Sequence, residues 1–208
     1  METHYASVAL ADQNLEINIG SQCLDKVQRG VAHCLGVPHA SRSVKSRRLG
    51  GGFGGKATRP TWLACAAAIA SKLTRKNCSM HFNLEDCITI MGGRSIYKVN
   101  YKASFESTGK CTAVDLTLYC DTGACPNDNG FAGMLFCGHG DGPYSIKNYR
   151  YNLILVRTAH PSVTWLRAPG MLQAAFAIER VIDHGLRKFK IDQANGRAIN
   201  LARPGDTT

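Results

Sequence analysis

From residue 48 to residue 57 the chain reads Arg-Leu-Gly-Gly-Gly-Phe-Gly-Gly-Lys-Ala, with five glycines in the six positions from Gly50 to Gly55. So many glycines are costly in backbone entropy, and what they offer in return is a sharp turn or close approach of the main chain to a ligand. Two nucleotide-binding templates touch the run. Gly50, Gly52 and Gly55 meet the GxGxxG spacing, but any glycine run meets it by accident, and residues 71–76 (Ser-Lys-Leu-Thr-Arg-Lys) are basic where a ribose-binding acid is wanted. Gly50, Gly55 and Lys56 meet the phosphate-loop spacing, yet Ala57 stands where a Ser or Thr hydroxyl would hold magnesium. Magnesium-dependent binding of ATP or GTP would be needed to sustain either.

The elements around this loop set its position. Residues 7–19 read as a strand pair around Asp12-Gln13-Asn14, because Leu15, Ile17 and Ile19 alternate with polar neighbours. Leu24, Val27, Val31, Cys34 and Leu35 recur at helical steps from 22 to 35, and Gly36 with Pro38 closes that helix. A short strand is expected over 41–49, ahead of the loop. An alanine-rich helix centred on 63–70 follows it.

Residues 78–91 and 96–120 read as strands, broken by Gly92-Gly93-Arg94 and turned at 107–110. The stretch 121–143 is rich in Gly, Asp and Asn and lacks apolar periodicity, so a long mobile loop is expected there, with a candidate internal boundary. A strand over 151–157 and a helix over 172–186 complete an α+β pattern of mixed strands and helices without regular βαβ alternation.

Twenty-five Lys and Arg against fifteen Asp and Glu give a net charge of +10, which favours anionic partners. The basic residues fall in small groups (Arg42, Lys45, Arg47, Arg48; Arg187, Lys188, Lys190) with few aromatics between them, which argues against a nucleic-acid surface. Nine cysteines without a CxxC pair supply neither a zinc site nor an iron–sulfur ligand set, and read as reduced, mostly buried thiols. No apolar run approaches the roughly 20 residues of a membrane span, and the start lacks a signal-peptide pattern, so a soluble cytoplasmic protein is expected.

Taken with its neighbours, the loop from Arg48 to Lys56 resembles the glycine signature of the xanthine dehydrogenase/aldehyde oxidase family of molybdenum hydroxylases. Met1-Glu2-Thr3, Gly20-Ser21-Gln22, Cys34-Leu35-Gly36-Val37-Pro38, Gly92-Gly93-Arg94 and 164–170 (Thr-Trp-Leu-Arg-Ala-Pro-Gly) are each similar to a family element, in the family's order. The resemblance spans essentially the whole chain. It implies a molybdenum–molybdopterin cofactor, with Gln22 hydrogen-bonding an oxygen ligand of the metal and the backbone amides of Phe53 and Arg167 approaching the metal's ligands. Gly52 and Gly54 would let the main chain come close. These contacts reach the metal's ligands and not the metal itself.

The resemblance also implies a small-molecule substrate, placed beside Ala57. Xanthine-oxidising members carry Glu at that position and aldehyde oxidases an apolar residue, so an aldehyde or N-heterocycle is expected. No arginine occurs near Met134 or Leu135, where xanthine dehydrogenases bind substrate. Family enzymes are several times longer, with FAD and [2Fe–2S] domains, a second cofactor domain and a general-base glutamate near the C-terminus, and they can form homodimers. Residues 1–208 are therefore expected to be a partial molybdopterin-binding domain truncated at both ends, with no catalytic residue of its own and inactive in isolation. The other expectation is a non-catalytic, truncated paralogue that uses its basic residues to bind anions.

Overall fold

A computed structural model describes residues 2–11 and 14–206 and divides the chain into two compact units, Met1–Gly93 with Thr164–Arg167, and Arg94–Val163 with Ala168–Thr208. The first unit carries a four-stranded sheet in the order β3-β2-β1-β4, where β1 is Tyr5–Ala11, β2 Asn14–Ile19, β3 Arg42–Lys45 and β4 Cys78–His81. β1 and β2 form the expected antiparallel pair, Val8 opposite Ile17 and Leu10 opposite Leu15; the proposed turn residues Asp12 and Gln13 lie outside the described residues. Period-two alternation buries Ala6, Val8, Leu15, Ile17 and Ile19. They pack with Val27, Val31 and Leu35 of α1 (Leu24–Leu35) and with Leu63, Ala64, Ala67 and Ala68 of α2 (Pro60–Thr74).

α1 ends where its sequence says it should. Gly36 adopts φ +65°, and the Val37 amide reaches back to the Ala32 carbonyl, closing the helix by a left-handed turn. Residues 78–91 correct the expectation of one strand: β4 stops at His81 and α3 (Leu84–Met91) follows. Asn83 caps it, its Oδ1 accepting the Asp86 amide at 2.8 Å, with Glu85 and Asp86 in the positive first turn.

The second unit holds β5 (Tyr97–Phe105), β6 (Cys111–Gly123) and β7 (Asn148–Arg157), with β5 and β6 antiparallel and β6 and β7 parallel. Val114, Leu116 and Leu118 pack against Ala174, Ile178, Val181 and Leu186 of α5 (Met171–Lys188). Residues 121–143 are not one long loop: they contain α4, Asn129–Cys137. Gly133 explains the irregular composition, since a Cβ there would stand 2.6 Å from Leu153 Cδ2 on β7. The final helix α6 (Gln193–Asn200), absent from the sequence reading, is capped by Asp192 and anchored by Asn200, whose Oδ1 accepts the Cys111 amide at 2.7 Å.

The architecture is the expected α+β. Among the described residues no helix is long and apolar enough to cross a membrane. The cysteines depart from expectation: Cys87, Cys111 and Cys120 are buried, but Cys34 and Cys125 are exposed and the other four lie between.

Candidate cofactor site

All six sequence-identified residues, Gln22, Gly52, Phe53, Gly54, Ala57 and Arg167, fall in the first unit. Gln22 follows β2 and stands two residues before Leu24, the first residue of α1. Its main-chain N–H donates to the Lys56 carbonyl at 2.8 Å, and its Oε1 accepts the amides of Gly54 at 2.9 Å and Lys56 at 3.3 Å. Ser21 Oγ donates to the same Lys56 carbonyl. Oε1 is thereby fixed on the glycine loop, and the two N–H groups of Nε2 meet no acceptor among the described residues.

The loop itself is wound through left-handed space, with φ of +103° at Gly51, +49° at Phe53 and +91° at Gly54. For Phe53 that conformation costs roughly 1–2 kcal/mol. Two of the glycines are also required by space. A Cβ on Gly52 would lie 2.4 Å from Gln22 Oε1, and one on Gly54 would lie 2.5 Å from the Trp165 carbonyl oxygen.

Residues 164–167 close over this loop from far along the chain. The Arg167 amide donates to the Phe53 carbonyl at 2.9 Å, the Thr164 amide to the Gly93 carbonyl, and Lys26 Nζ lies 5.7 Å from the centre of the Trp165 ring. The structure thus brings Phe53, Gly54, Gln22 and Arg167 together. The Arg167 amide, however, is already spent on Phe53.

Two residues outside the sequence-identified set hold the loop from below. Lys56 is completely buried, and its Nζ donates to Glu2 Oε2 at 2.8 Å, while the same oxygen accepts the Gly50 amide at 2.7 Å. The hydrogen bond from Lys56 holds the Glu2 carboxyl below its ordinary range. His4 is buried beside them with both ring nitrogens lacking a partner, and burial, then the Lys56 charge, lowers its pKa. The nearest sequence signal was the Met1-Glu2-Thr3 element, which gives no pairing.

The donor set suits an oxygen-rich anion. Gly52 and Gly55 are buried residues and Phe53 is half-exposed, and the amides of the three meet no acceptor among the described residues. Main-chain N–H groups of a loop wound through left-handed space can form a concavity for negative oxygen. Among the described residues no group of three or more His, Cys, Asp or Glu could hold a metal ion. Ala57 is 1% exposed, and its amide donates to the Gly54 carbonyl.

Residues 1–201 match the molybdopterin cofactor-binding domain family, and the chain belongs to it. It is 33% identical over 208 residues to an indole-3-acetaldehyde oxidase of Zea mays and 34% identical to aldehyde oxidase 4 of Arabidopsis thaliana. Each comparison covers 97% of this chain but 15% of the relative, so the chain spans about 15% of the length of these proteins. Among solved structures, the aldehyde oxidoreductase from Desulfovibrio desulfuricans aligns over all of this chain and 23% of its own with a TM-score of 0.89 at 22% identity. The Desulfovibrio gigas aldehyde oxidoreductase aligns with a TM-score of 0.84 at 24% identity, likewise over all of this chain and 23% of its own. These two similarities establish the fold.

Proposed function

We propose that this chain holds one side of a molybdenum–molybdopterin cofactor within an aldehyde-oxidase-like oxidoreductase that hydroxylates aldehydes or N-heterocycles. The observation that carries this reading is the orientation of Gln22, whose Oε1 is pinned by the Gly54 and Lys56 amides so that both Nε2 hydrogens remain for a ligand. When bound, the cofactor supplies the oxidative chemistry that no side chain can perform. The chain's own part is to bind and orient. Gln22 Nε2 and the Phe53 amide present fixed donors to negative oxygen, and donors already in place need no reorganisation as charge develops.

Arg167 acts here as a positioning residue, its amide holding the Phe53 carbonyl and with it the strained Phe53 backbone. Ala57 bears on substrate choice through what it lacks, a carboxylate for a purine. In this reading the chain is part of a longer cytoplasmic enzyme, and the remaining domains supply FAD, [2Fe–2S] clusters and the general base. The alternative of a non-catalytic basic module draws on the net charge of +10 and the basic groups at 42–48 and 187–190, and gives Gln22 no task.

The test is Gln22→Glu, which keeps an acceptor oxygen for the loop amides but removes both donors and adds a negative charge. Molybdenum per chain in the purified enzyme should fall about ten- to a hundredfold, while the melting temperature changes by only a few degrees. Undiminished molybdenum would overturn the reading.

A further inference from the structure

α1 and α2 pack together on the first sheet, and at Gly30 they leave no space: a Cβ there would stand 2.4 Å from Thr61 Cγ2 and 3.8 Å from Cys65 Sγ. Cys34 lies one turn beyond Gly30 on α1, and Cys65 one turn beyond Thr61 on α2. Gly30 thus stands against Thr61 and Cys65 of α2, and Cys34, one turn beyond it on α1, is the thiol neighbouring Cys65. Cys34 is exposed and Cys65 half-buried, so Cys34 is the more accessible of the two.

We propose that Cys34 and Cys65 form a redox-modification site, a dithiol that a peroxide converts into a disulfide tying α1 to α2. Cys34 sulfur attacks a peroxide oxygen; the O–O bond breaks, Cys34 becomes a sulfenic acid and water leaves. Cys65 sulfur then attacks Cys34 sulfur, the S–S bond forms as the S–O bond breaks, and the Cys65 proton departs with the oxygen as a second water. Two thiols are oxidised and one peroxide reduced to two waters. Cys34, the exposed thiol, meets the oxidant first, and Cys65, whose thiol burial and then the Cys34 contact push up to about 12, follows as the resolving thiol.

The location gives the bond a consequence. α1 starts two residues after Gln22 and α2 four residues after Lys56, so a tie between them joins the two helices that follow the partners of the Gln22–Gly54 contact.

Hydrogen peroxide is added to the purified protein, and the unreduced protein is digested and mapped by mass spectrometry. A peptide joining Cys34 to Cys65, lighter by about two hydrogens than the two thiol peptides and split by dithiothreitol, is expected. The oxidised protein should also melt several degrees higher. In Cys65→Ser the sulfenic acid at Cys34 has no resolving partner, and its dimedone adduct should rise several-fold. If the unsubstituted protein carries Cys34 to the sulfinic acid while Cys65 stays alkylatable, or if Cys65 bonds another cysteine, the proposal is overturned.

Discussion

Glu2 and Lys56 stand 54 residues apart in sequence and 2.8 Å apart in space, and the Glu2 oxygen that accepts from Lys56 also accepts the Gly50 amide, so one carboxylate clamps both ends of the glycine loop. Lys56 has no solvent to fall back on. Removing its partner leaves a buried ammonium unpaired, which typically costs about 3–5 kcal/mol, whereas replacing both charges with apolar groups costs far less. Glu2→Ala should therefore lower unfolding free energy by about that amount in urea titrations, and adding Lys56→Met should recover much of it. Equal losses in the single and double variants would show that the pair does not support the loop.

The same corner sets an acid limit. His4 has its pKa lowered by burial and by Lys56, so the unfolded chain takes up the proton first; its contribution to stability is full above 6.5 and is lost as the pH falls from there toward the folded value. Glu2, also lowered, contributes fully above 4.5 and loses its part on further acidification. Two losses are expected between neutral and strongly acidic pH. His4→Phe should flatten the upper one in pH-dependent denaturation and leave the lower. An unchanged upper limb would remove His4 from the account.

Two glycines separate steric need from backbone need. Gly36 and Gly54 both have positive φ, but a Cβ at Gly36 meets nothing within 4 Å and one at Gly54 meets the Trp165 carbonyl oxygen at 2.5 Å. Gly36→Ala should cost about 1–2 kcal/mol, the left-handed penalty alone. Gly54→Ala must also displace residues 164–167, and its loss should be clearly larger. Comparable melting temperatures for the two would contradict the close packing described.

Ala57 yields a substrate prediction. With this segment in a complete enzyme, kcat/KM should favour benzaldehyde over xanthine, because a purine held by polar contacts loses a partner worth roughly 1–3 kcal/mol when Glu becomes Ala. Ala57→Glu should shift the ratio toward xanthine. A preference for xanthine with Ala57 in place would reject the aldehyde-type assignment.

Much of this was legible in the sequence because period and punctuation agree with the fold. Leu15, Ile17 and Ile19 alternate, and α1 has both its apolar stripe and its closing glycine. α3 was mistaken for strand because Ile88, Thr89 and Ile90 are β-branched, although Asn83 with Glu85 and Asp86 marked a helix start. α4 carried no such mark: Gly130 and Gly133 spoil its pattern, and close packing on Leu153 is what requires the second of them.

In the candidate site, residue types pointed to Gln22 and the glycines. Nothing in the sequence showed which carboxamide atom would face the loop, that the Arg167 amide would be taken by Phe53, or that Glu2 and Lys56 would meet. Such facts depend on contacts between distant segments, and no local period encodes them.

Residues 164–167 belong by their contacts to the first unit, although seventy residues of the second precede them in the chain. A polypeptide cut after Gly93 would keep every glycine of the loop but lose the amide that holds the Phe53 carbonyl and the carbonyl packed on Gly54. The boundary that looks natural by compactness is thus a poor place for a gene to be divided. Recombination or transplantation that preserves this site has to move residues 2–167 as one cassette, and the intervening segment travels with it whatever its own task.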